Sequence, residues 1–452
     1  MNYEFETETS HKSEQNIVAA IDIGTTKIVA IVGTKDEKGR IKILGLGESP
    51  SLGVKRGVVQ NIEEASRAIR KAADDAEKQS GIKIEHVVVG IAGQHIRSIK
   101  NRGYIMINDK DNEIKQKHVD ALIEQMHQSP LQSDDEILHV IPQSFTVDNE
   151  TGITSNVVGM NGHRLEGNFH IVLGQTASAK KIQKSIERAG LILDSMVLEP
   201  LASSEAVLSD DDKEAGVAMI DIGGGTTDIA IFYDKIVRHT AVIPWGGAII
   251  TQDIKEGLKI VERKAERMKV QFGFAIGSEA PKNELLQLDA SPGQAIRRIT
   301  TQQLSLIIQA RMEEIIEAIN FEIENSGYAQ KLGNGIVITG GGALLKSLPQ
   351  LFSFHSGNIV RVGRPNDVLV TDYNEISDPK YSTSVGLVLK AVEYYEKEGY
   401  KKSVAPTKTN DESMPKKEKQ VEFQEEEIQG GGIVGKLKGF FDGFFGASDS
   451  EM

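Results

Sequence analysis

One element occurs twice in this chain. Ala20-Ile21-Asp22-Ile23-Gly24-Thr25-Thr26-Lys27-Ile28-Val29 is echoed in the second half by Met219-Ile220-Asp221-Ile222-Gly223-Gly224-Gly225-Thr226-Thr227-Asp228-Ile229. Each copy reads as an apolar strand, an aspartate, a Gly/Thr turn and a second apolar strand. A third glycine turn follows at Val337-Ile338-Thr339-Gly340-Gly341-Gly342-Ala343-Leu344-Leu345. Internal repetition at this separation implies two similar halves, with a site where the copies face each other. A chain of 452 residues has room for such halves and for additions to them.

The residue types in the turns specify a chemistry. A Gly/Thr turn between strands can aim several backbone N–H groups into one concavity, which suits a phosphate oxygen. Glycine permits the unusual φ angles and the close approach of a ligand. Thr25, Thr26, Thr226 and Thr227 add hydroxyl donors to Gly24 and to Gly223, Gly224 and Gly225, and Lys27 adds a point charge. Asp22 and Asp221, each near the end of a strand, could hold a hydrated Mg²⁺, which keeps several waters and takes one or two carboxylates beside phosphate oxygens. A strand-then-helix turn such as Gly340-Gly341-Gly342 would bring a helix N-terminus to a nucleotide. Any one of these turns is equally well a tight hairpin without a ligand. Two matched turns with a third in order favour a shared phosphate site.

Composition removes several alternatives. A net charge of −13 argues against nucleic-acid binding, which needs a basic face. The absence of cysteine removes disulfides, thiol catalysis and thiolate zinc sites, and fits a reducing compartment. The polar, acidic start Met1–Gln15 has no apolar core of a signal peptide, and no apolar run is long enough to span a bilayer. Periodicity predicts a hairpin over about 17–47, an amphipathic helix Glu63–Gln79 and a buried strand His86–Ala92. Up to about Asn168 short strand-like pieces then surround one helical stretch, Lys115–Met126, and read as a small α+β insertion. The main fold is expected to resume at Phe169–Leu173. Further on come a helix Leu201–Leu208, a mostly helical block Thr251–Ser326 and a closing helix Val385–Tyr395. After it, Lys and Glu alternate with Pro, Ser, Thr and Asn, a composition that buries too little to offset its ordering entropy.

The two phosphate turns, the connecting Glu199–Leu208 helix, the Gly340–Gly342 turn and the closing Ser384-Val385-Gly386-Leu387 helix resemble the motifs of the actin, Hsp70 and sugar-kinase superfamily. The resemblance covers roughly residues 17–395 and implies a two-lobed α/β fold with Mg–ATP in the cleft. By it, Asp22 and Asp221 would orient metal-bound water, Gly24–Thr26 and Gly223–Thr226 would hold phosphates, and Gly340–Gly342 would lie at the adenosine. Glu266 and Lys269 are candidate ribose or base contacts. Glu205 takes what looks like the place of a water-positioning residue, with Asp221 beside it as the other catalytic candidate. Its own charge opposes the γ-phosphate, so slow or absent turnover is expected; the alternative is a helix-surface glutamate.

The last stretch, Gly432–Gly446, adds a separate signal. At about 100° per residue, Ile433, Val434, Leu437, Phe440, Phe441, Phe444 and Phe445 fall in an arc of roughly 140°. As a helix it would be about 22 Å long, short of the ~30 Å hydrocarbon core, so it would lie in a membrane surface rather than cross it. Docking on the protein's own core or a partner's groove is the alternative, disfavoured by the polar tether ahead of it. Cleft, insertion and tail together resemble the bacterial FtsA cell-division family. The resemblance implies an actin-like ATPase fold with an inserted α+β subdomain and the following layout: a polar extension 1–16; first-lobe core 17–84 and 169–212; insertion 85–168; second-lobe core 213–250 and 331–396; helical subdomain 251–330; disordered linker 397–430; and membrane-targeting helix 431–446. It further implies an ATP- and Mg²⁺-dependent adaptor at the division site that forms filaments with itself. The adaptor would tether FtsZ, through about 251–326, to lipids of the inner membrane's cytoplasmic face and recruit other division proteins. A pilus-assembly ATPase would lack the tail, and a small-molecule kinase, for which Asp228 is a formal candidate base, has no use for one.

Overall fold

Strands buried on both faces read as continuous apolar runs rather than as alternations, and Ile17–Ile23 and Val217–Ile222 are of that kind. The computed structural model describes residues 16–131, 134–154, 156–288, 297–365, 368–370, 374–399 and 404–406. The extension 1–15, most of the linker, and the segment 431–446 with Ile433, Val434, Leu437, Phe440, Phe441, Phe444 and Phe445 lie outside the described residues.

The two runs are the central strands of two five-stranded sheets with the same topology. In the first, Ile17–Ile23 pairs antiparallel with Lys27–Lys35, which pairs antiparallel with Ile41–Pro50. On its other side lie His86–Ile91 and then Ile192–Leu198, both parallel. In the second, Val217–Ile222 pairs with Thr227–Tyr233 and that with Ile236–Ile243, again antiparallel. Ile336–Thr339 and Val360–Val362 continue it in parallel. The repeat seen in sequence is therefore a repeat of the whole sheet, and Asp22 and Asp221 hold equivalent positions.

The helix Ile62–Ser80 covers the first sheet. It starts where Asn61 accepts the backbone N–H groups of Glu63 and Glu64, and stops at Gly81, whose φ of 70° suits glycine. Between Glu262–Phe272 and the long helix Thr301–Asn325 of the second lobe runs a two-stranded ribbon, Leu285–Leu288 with Arg297–Thr300.

The insertion has different limits from those expected. His86–Ile91, placed within it by sequence, belongs to the first-lobe sheet. Phe169–Leu173, expected to return the chain to the main fold, lies inside Arg164–Gln175, the strand that joins Arg97–Met106 and Asp135–Val147 in the insertion's own four-stranded sheet. Apolar content alone cannot tell the two sheets apart, since the insertion has its own core, in which Leu122 of the helix Gln116–His127 joins Leu165, Phe169 and Ile171 of the strand. The insertion also touches the second lobe: His170 Nε2 lies 2.9 Å from Thr240 Oγ1, and Arg238 donates to the Gln143 carbonyl at 3.0 Å.

Two further boundaries move. The closing helix runs Ser382–Glu398, and Val404–Pro406 pairs antiparallel with Ile82–Ile84, so order extends past Lys397, where the disordered linker was expected to begin. An exposed strand edge accepts a short segment through backbone hydrogen bonds alone, which composition does not report. The third glycine turn leads into a short 3₁₀ turn, Gly341–Leu344, and the α-helix begins only at Leu348.

The connecting helix Glu199–Val207 and the closing helix Ser382–Glu398 cross in contact. At the crossing a Cβ on Gly386 would overlap the Ala202 carbonyl oxygen. Gly386→Ala should therefore lower stability by about 1–3 kcal/mol through forced separation of the helices. Urea unfolding measures this, and an unchanged midpoint would show that the crossing can relax.

Candidate functional site

Each phosphate-turn candidate is placed by its strand pair. The backbone of Gly223 donates to the Thr226 carbonyl at 2.9 Å and closes the second turn. Gly247 and Ala248, at the start of the helix Gly247–Leu258, donate to the Gly223 and Gly224 carbonyls at 2.9 and 2.8 Å. The turn is thus stitched to a helix start through its carbonyls.

The turns of the two halves meet. A Cβ on Gly224 would clash with Thr26 Oγ1, and one on Gly225 with Thr25 Oγ1. The third turn closes on the same place, since a Cβ on Gly340 would clash with Asp221 Oδ1 and one on Gly342 with Ile222. A side chain at any of these positions would meet a residue beside a facing turn, and the three glycine turns converge.

Asp22 and Asp221 are buried, and hydroxyl groups hold both. Ser384, in the first turn of the closing helix, donates to Asp22 Oδ2 at 2.8 Å. Its neighbour Thr383 donates to Asp221 Oδ2 at 2.9 Å, and Ser203 of the connecting helix donates to the same oxygen at 2.6 Å. Adjacent residues of one helix therefore grip the aspartates of both lobes. Sequence reasoning missed Ser203 and Thr383; the signal was a run of hydroxyl residues at positions otherwise facing an apolar crossing.

Two more carboxyls complete the cluster. Asp228 is buried, accepts from Thr226 Oγ1 at 2.9 Å, and leaves its Oδ1 with no partner. Glu199 retains some exposed surface at the head of the connecting helix and feels all three aspartates. Burial pushes Asp22 up to about 6, against the Ser384 hydroxyl and Lys27, which pull it down. Burial, with Asp221 nearby, pushes Asp228 up to about 8. Asp221 is raised by burial against its two hydroxyl donors. Glu199 is raised well above the ordinary range by burial and then by Asp22, Asp228 and Asp221. Four acids sharing so little solvent are a place that favours protons or a cation. Among the described residues no three acidic or imidazole side chains converge as direct metal ligands. A hydrated divalent ion held through one or two carboxylates remains compatible with the donor set.

Other candidates are placed differently from expectation. Glu205 is not with the cluster: it is ion-paired to Lys213 at 2.7 Å and to Lys390 at 3.1 Å. Burial opposes its ionisation, but the two lysines outweigh that and hold its carboxyl below the usual range. Glu199, six residues earlier and so about 9 Å along the helix, is the glutamate that faces the aspartates. Lys27 pairs with Glu48 at 2.8 Å and lies 3.6 Å from the centre of the Tyr381 ring, so its charge is shared before any phosphate arrives. Lys269 donates to Glu266 Oε2 and to the Gly247 carbonyl, both at 2.8 Å, and Thr251 also donates to Glu266. Glu266 and Lys269 thus reach the margin of the second turn as a linked pair.

A family model described as "Cell division protein FtsA" matches residues 218–386, and one described as "SHS2 domain inserted in FTSA" matches residues 93–173. A cell division protein FtsA of Neisseria meningitidis serogroup B is 36% identical over 378 residues, covering 83% of this chain and 90% of that one. The chain belongs to the FtsA cell division protein family. FtsA of Borreliella burgdorferi is 37% identical over 379 residues, with 83% of this chain and 91% of the relative covered, and FtsA of Escherichia coli K12 is 34% identical over 386 residues. The inserted-domain match begins after His86–Ile91 and ends within Arg164–Gln175, in accord with the four-stranded sheet described above.

Solved structures agree on an actin-like ATPase fold. A PilM–PilN type IV pilus biogenesis complex aligns with a TM-score of 0.60 at 13% identity, covering 83% of this chain and 98% of that one. An MreB of Spiroplasma citri bound to AMPPNP aligns with a TM-score of 0.51 at 14% identity, covering 85% and 98%. At such identities the likeness concerns the fold alone.

The carboxyl cluster makes stability depend on pH in a definite direction. Asp228 is ordinarily a strong enough acid to ionise near 3.8, and its folded value is about 8. The folded state therefore binds its proton more tightly than the unfolded state, and this contribution is lost as pH rises through that window. Asp228→Asn removes the titration while keeping an acceptor for Thr226. The melting temperature of the variant relative to the unaltered protein should rise between pH 5 and pH 8.5, and a difference independent of pH would contradict the buried-acid account.

Proposed function

We propose that the chain binds ATP with Mg²⁺ between its lobes and acts as a polymer-forming adaptor. In this reading it tethers FtsZ to the cytoplasmic face of the inner membrane at the division septum. One observation carries the nucleotide reading: the three glycine turns abut one another beside the buried pair Asp22 and Asp221. Gly24–Thr26 and Gly223–Thr226 would hold phosphates, Gly340–Gly342 the adenosine, and the two aspartates a hydrated Mg²⁺ that neutralises phosphate charge. The unpartnered Asp228 Oδ1 fits a site with room for one more donor or ordered water. Glu199 takes the role first given to Glu205, holding or moving a proton near the phosphates. Its raised affinity for a proton and the crowding of negative charge favour slow turnover.

Family membership supports the division role, and the amphipathic pattern of Ile433–Phe445 supports peripheral attachment. Among the described residues no helix is long and apolar enough to cross a membrane. For FtsZ, the second-lobe block offers a cavity of about 390 Å³ between the helix Glu262–Phe272 and the strand Leu285–Leu288, lined by Met268, Phe272 and Leu286. Filaments and further division partners follow from the same family reading.

Two experiments test these points separately. Calorimetry on Asp22→Ala and Asp221→Ala should show weakened Mg–ATP binding, and unchanged affinity would place the metal elsewhere. The full chain should sediment with liposomes, whereas Phe440→Glu combined with Phe444→Glu should stay in the supernatant; undiminished pelleting of the double variant would remove the anchor.

A further inference from the structure

We infer that Arg56 reads the terminal phosphate of the bound nucleotide, its guanidinium distinguishing a nucleoside triphosphate from a diphosphate. This rests on the nucleotide reading of the cleft given above.

The argument begins with a backbone conformation. Val54 pairs with Val59 and Lys55 with Val58, which leaves Arg56-Gly57 as a two-residue hairpin loop. Both loop residues have positive φ, 50° and 72°. That combination belongs to the type I′ turn, whose first position is ordinarily Asn, Asp or Gly because other side chains are strained there. Arginine in this place is held at a cost, and such strain concentrates where a side chain is needed for binding.

The position of the hairpin says what Arg56 is held against. Gly57 donates its backbone N–H to Thr25 Oγ1 at 3.0 Å, which fastens the loop to the first phosphate turn. A Cβ built on Gly57 would lie 3.0 Å from Gly93, so the loop is also braced from behind. A Cβ built on Gly225, in the second phosphate turn, would lie 2.9 Å from the Arg56 Cα. Arg56 thus stands where the turns of the two lobes meet. The third turn, on the adenosine side, closes instead on Asp221 and Ile222. In the nucleotide reading, a phosphate chain running from that turn would end toward the Thr25–Gly225 contact, beside Arg56.

The side chain is available for this role. Arg56 is exposed, and among the described residues it has no hydrogen-bond or ion-pair partner. Lys27 is already engaged by Glu48 and Tyr381, and Lys269 by Glu266 and the Gly247 carbonyl. A triphosphate carries more negative charge at its outer end than a diphosphate, and a cation there would favour it. A guanidinium supplies two parallel donors to phosphate oxygens, which an ammonium cannot.

The test is calorimetry on the full chain with Mg²⁺ and either AMPPNP or ADP. Arg56→Gln should weaken AMPPNP binding by about tenfold or more and leave ADP binding essentially unchanged. Lys55→Gln, an equal change of charge one residue away, should alter neither. Arg56→Gly removes the backbone strain, so it should melt no lower than the unaltered protein yet lose AMPPNP affinity as Arg56→Gln does. AMPPNP binding by either Arg56 variant equal to that of the unaltered protein overturns the inference alone. So does an equal loss for both nucleotides, which would indicate a general charge effect. Failure of the unaltered protein to bind either nucleotide overturns the nucleotide reading itself, and the inference with it.

Discussion

The architecture depends on the crossing of the helices Glu199–Val207 and Ser382–Glu398 at Ala202 and Gly386. Only a glycine lets the two backbones approach this closely, and that approach sets Ser203 and Thr383 3.0 Å apart, both on Asp221. Ser384, next in sequence, reaches Asp22 of the other lobe. The crossing and the two aspartates are therefore directly linked through Ser203, Thr383 and Ser384. In the proposed function this is the route by which the state of the cleft reaches the lobes as a whole, since packed elements move between discrete arrangements rather than deforming smoothly.

The carboxyl cluster works against stability and for binding. Asp22, Asp221, Asp228 and Glu199 all hold protons more tightly than free acids do, chiefly because burial disfavours their charge. A cation brought among them would release those protons and relieve mutual repulsion. The fold tolerates the cluster because serine and threonine hydroxyls partly satisfy the aspartates, while Asp228 Oδ1 is left over. Local rules are broken here, as happens where a site needs groups that a core would exclude.

Much of this was legible in the chain. The duplicated strand–Asp–Gly–strand element fixes the centre of each sheet, because a strand buried on both faces has few other ways to be written. The covering helix was visible as the amphipathic stretch Glu63–Gln79, one residue short at each end of the observed Ile62–Ser80. The limits of the insertion were not. The Phe169–Leu173 stretch of Arg164–Gln175 is as apolar as a main-sheet strand, and only its partners reveal which sheet it joins. Glu205 was offered either as the water-positioning residue or as a helix-surface glutamate, because sequence does not say which end of the connecting helix meets the turns; its ion pairs to Lys213 and Lys390 set it apart from the cluster. Arg56 passed unnoticed for a related reason: a charged residue in a short loop looks ordinary until its φ and its neighbour across the cleft are known.

The central claim is that the two duplicated turns close on one nucleotide with a metal between their aspartates. A crystal structure of the chain with AMPPNP and Mn²⁺, with the manganese located by anomalous scattering, tests it most directly. The account predicts phosphate oxygens in contact with both Gly24–Thr26 and Gly223–Thr226, and a manganese peak between Asp22 and Asp221 with water in its coordination shell. A nucleotide held by one turn alone, or a metal remote from both aspartates, would contradict it.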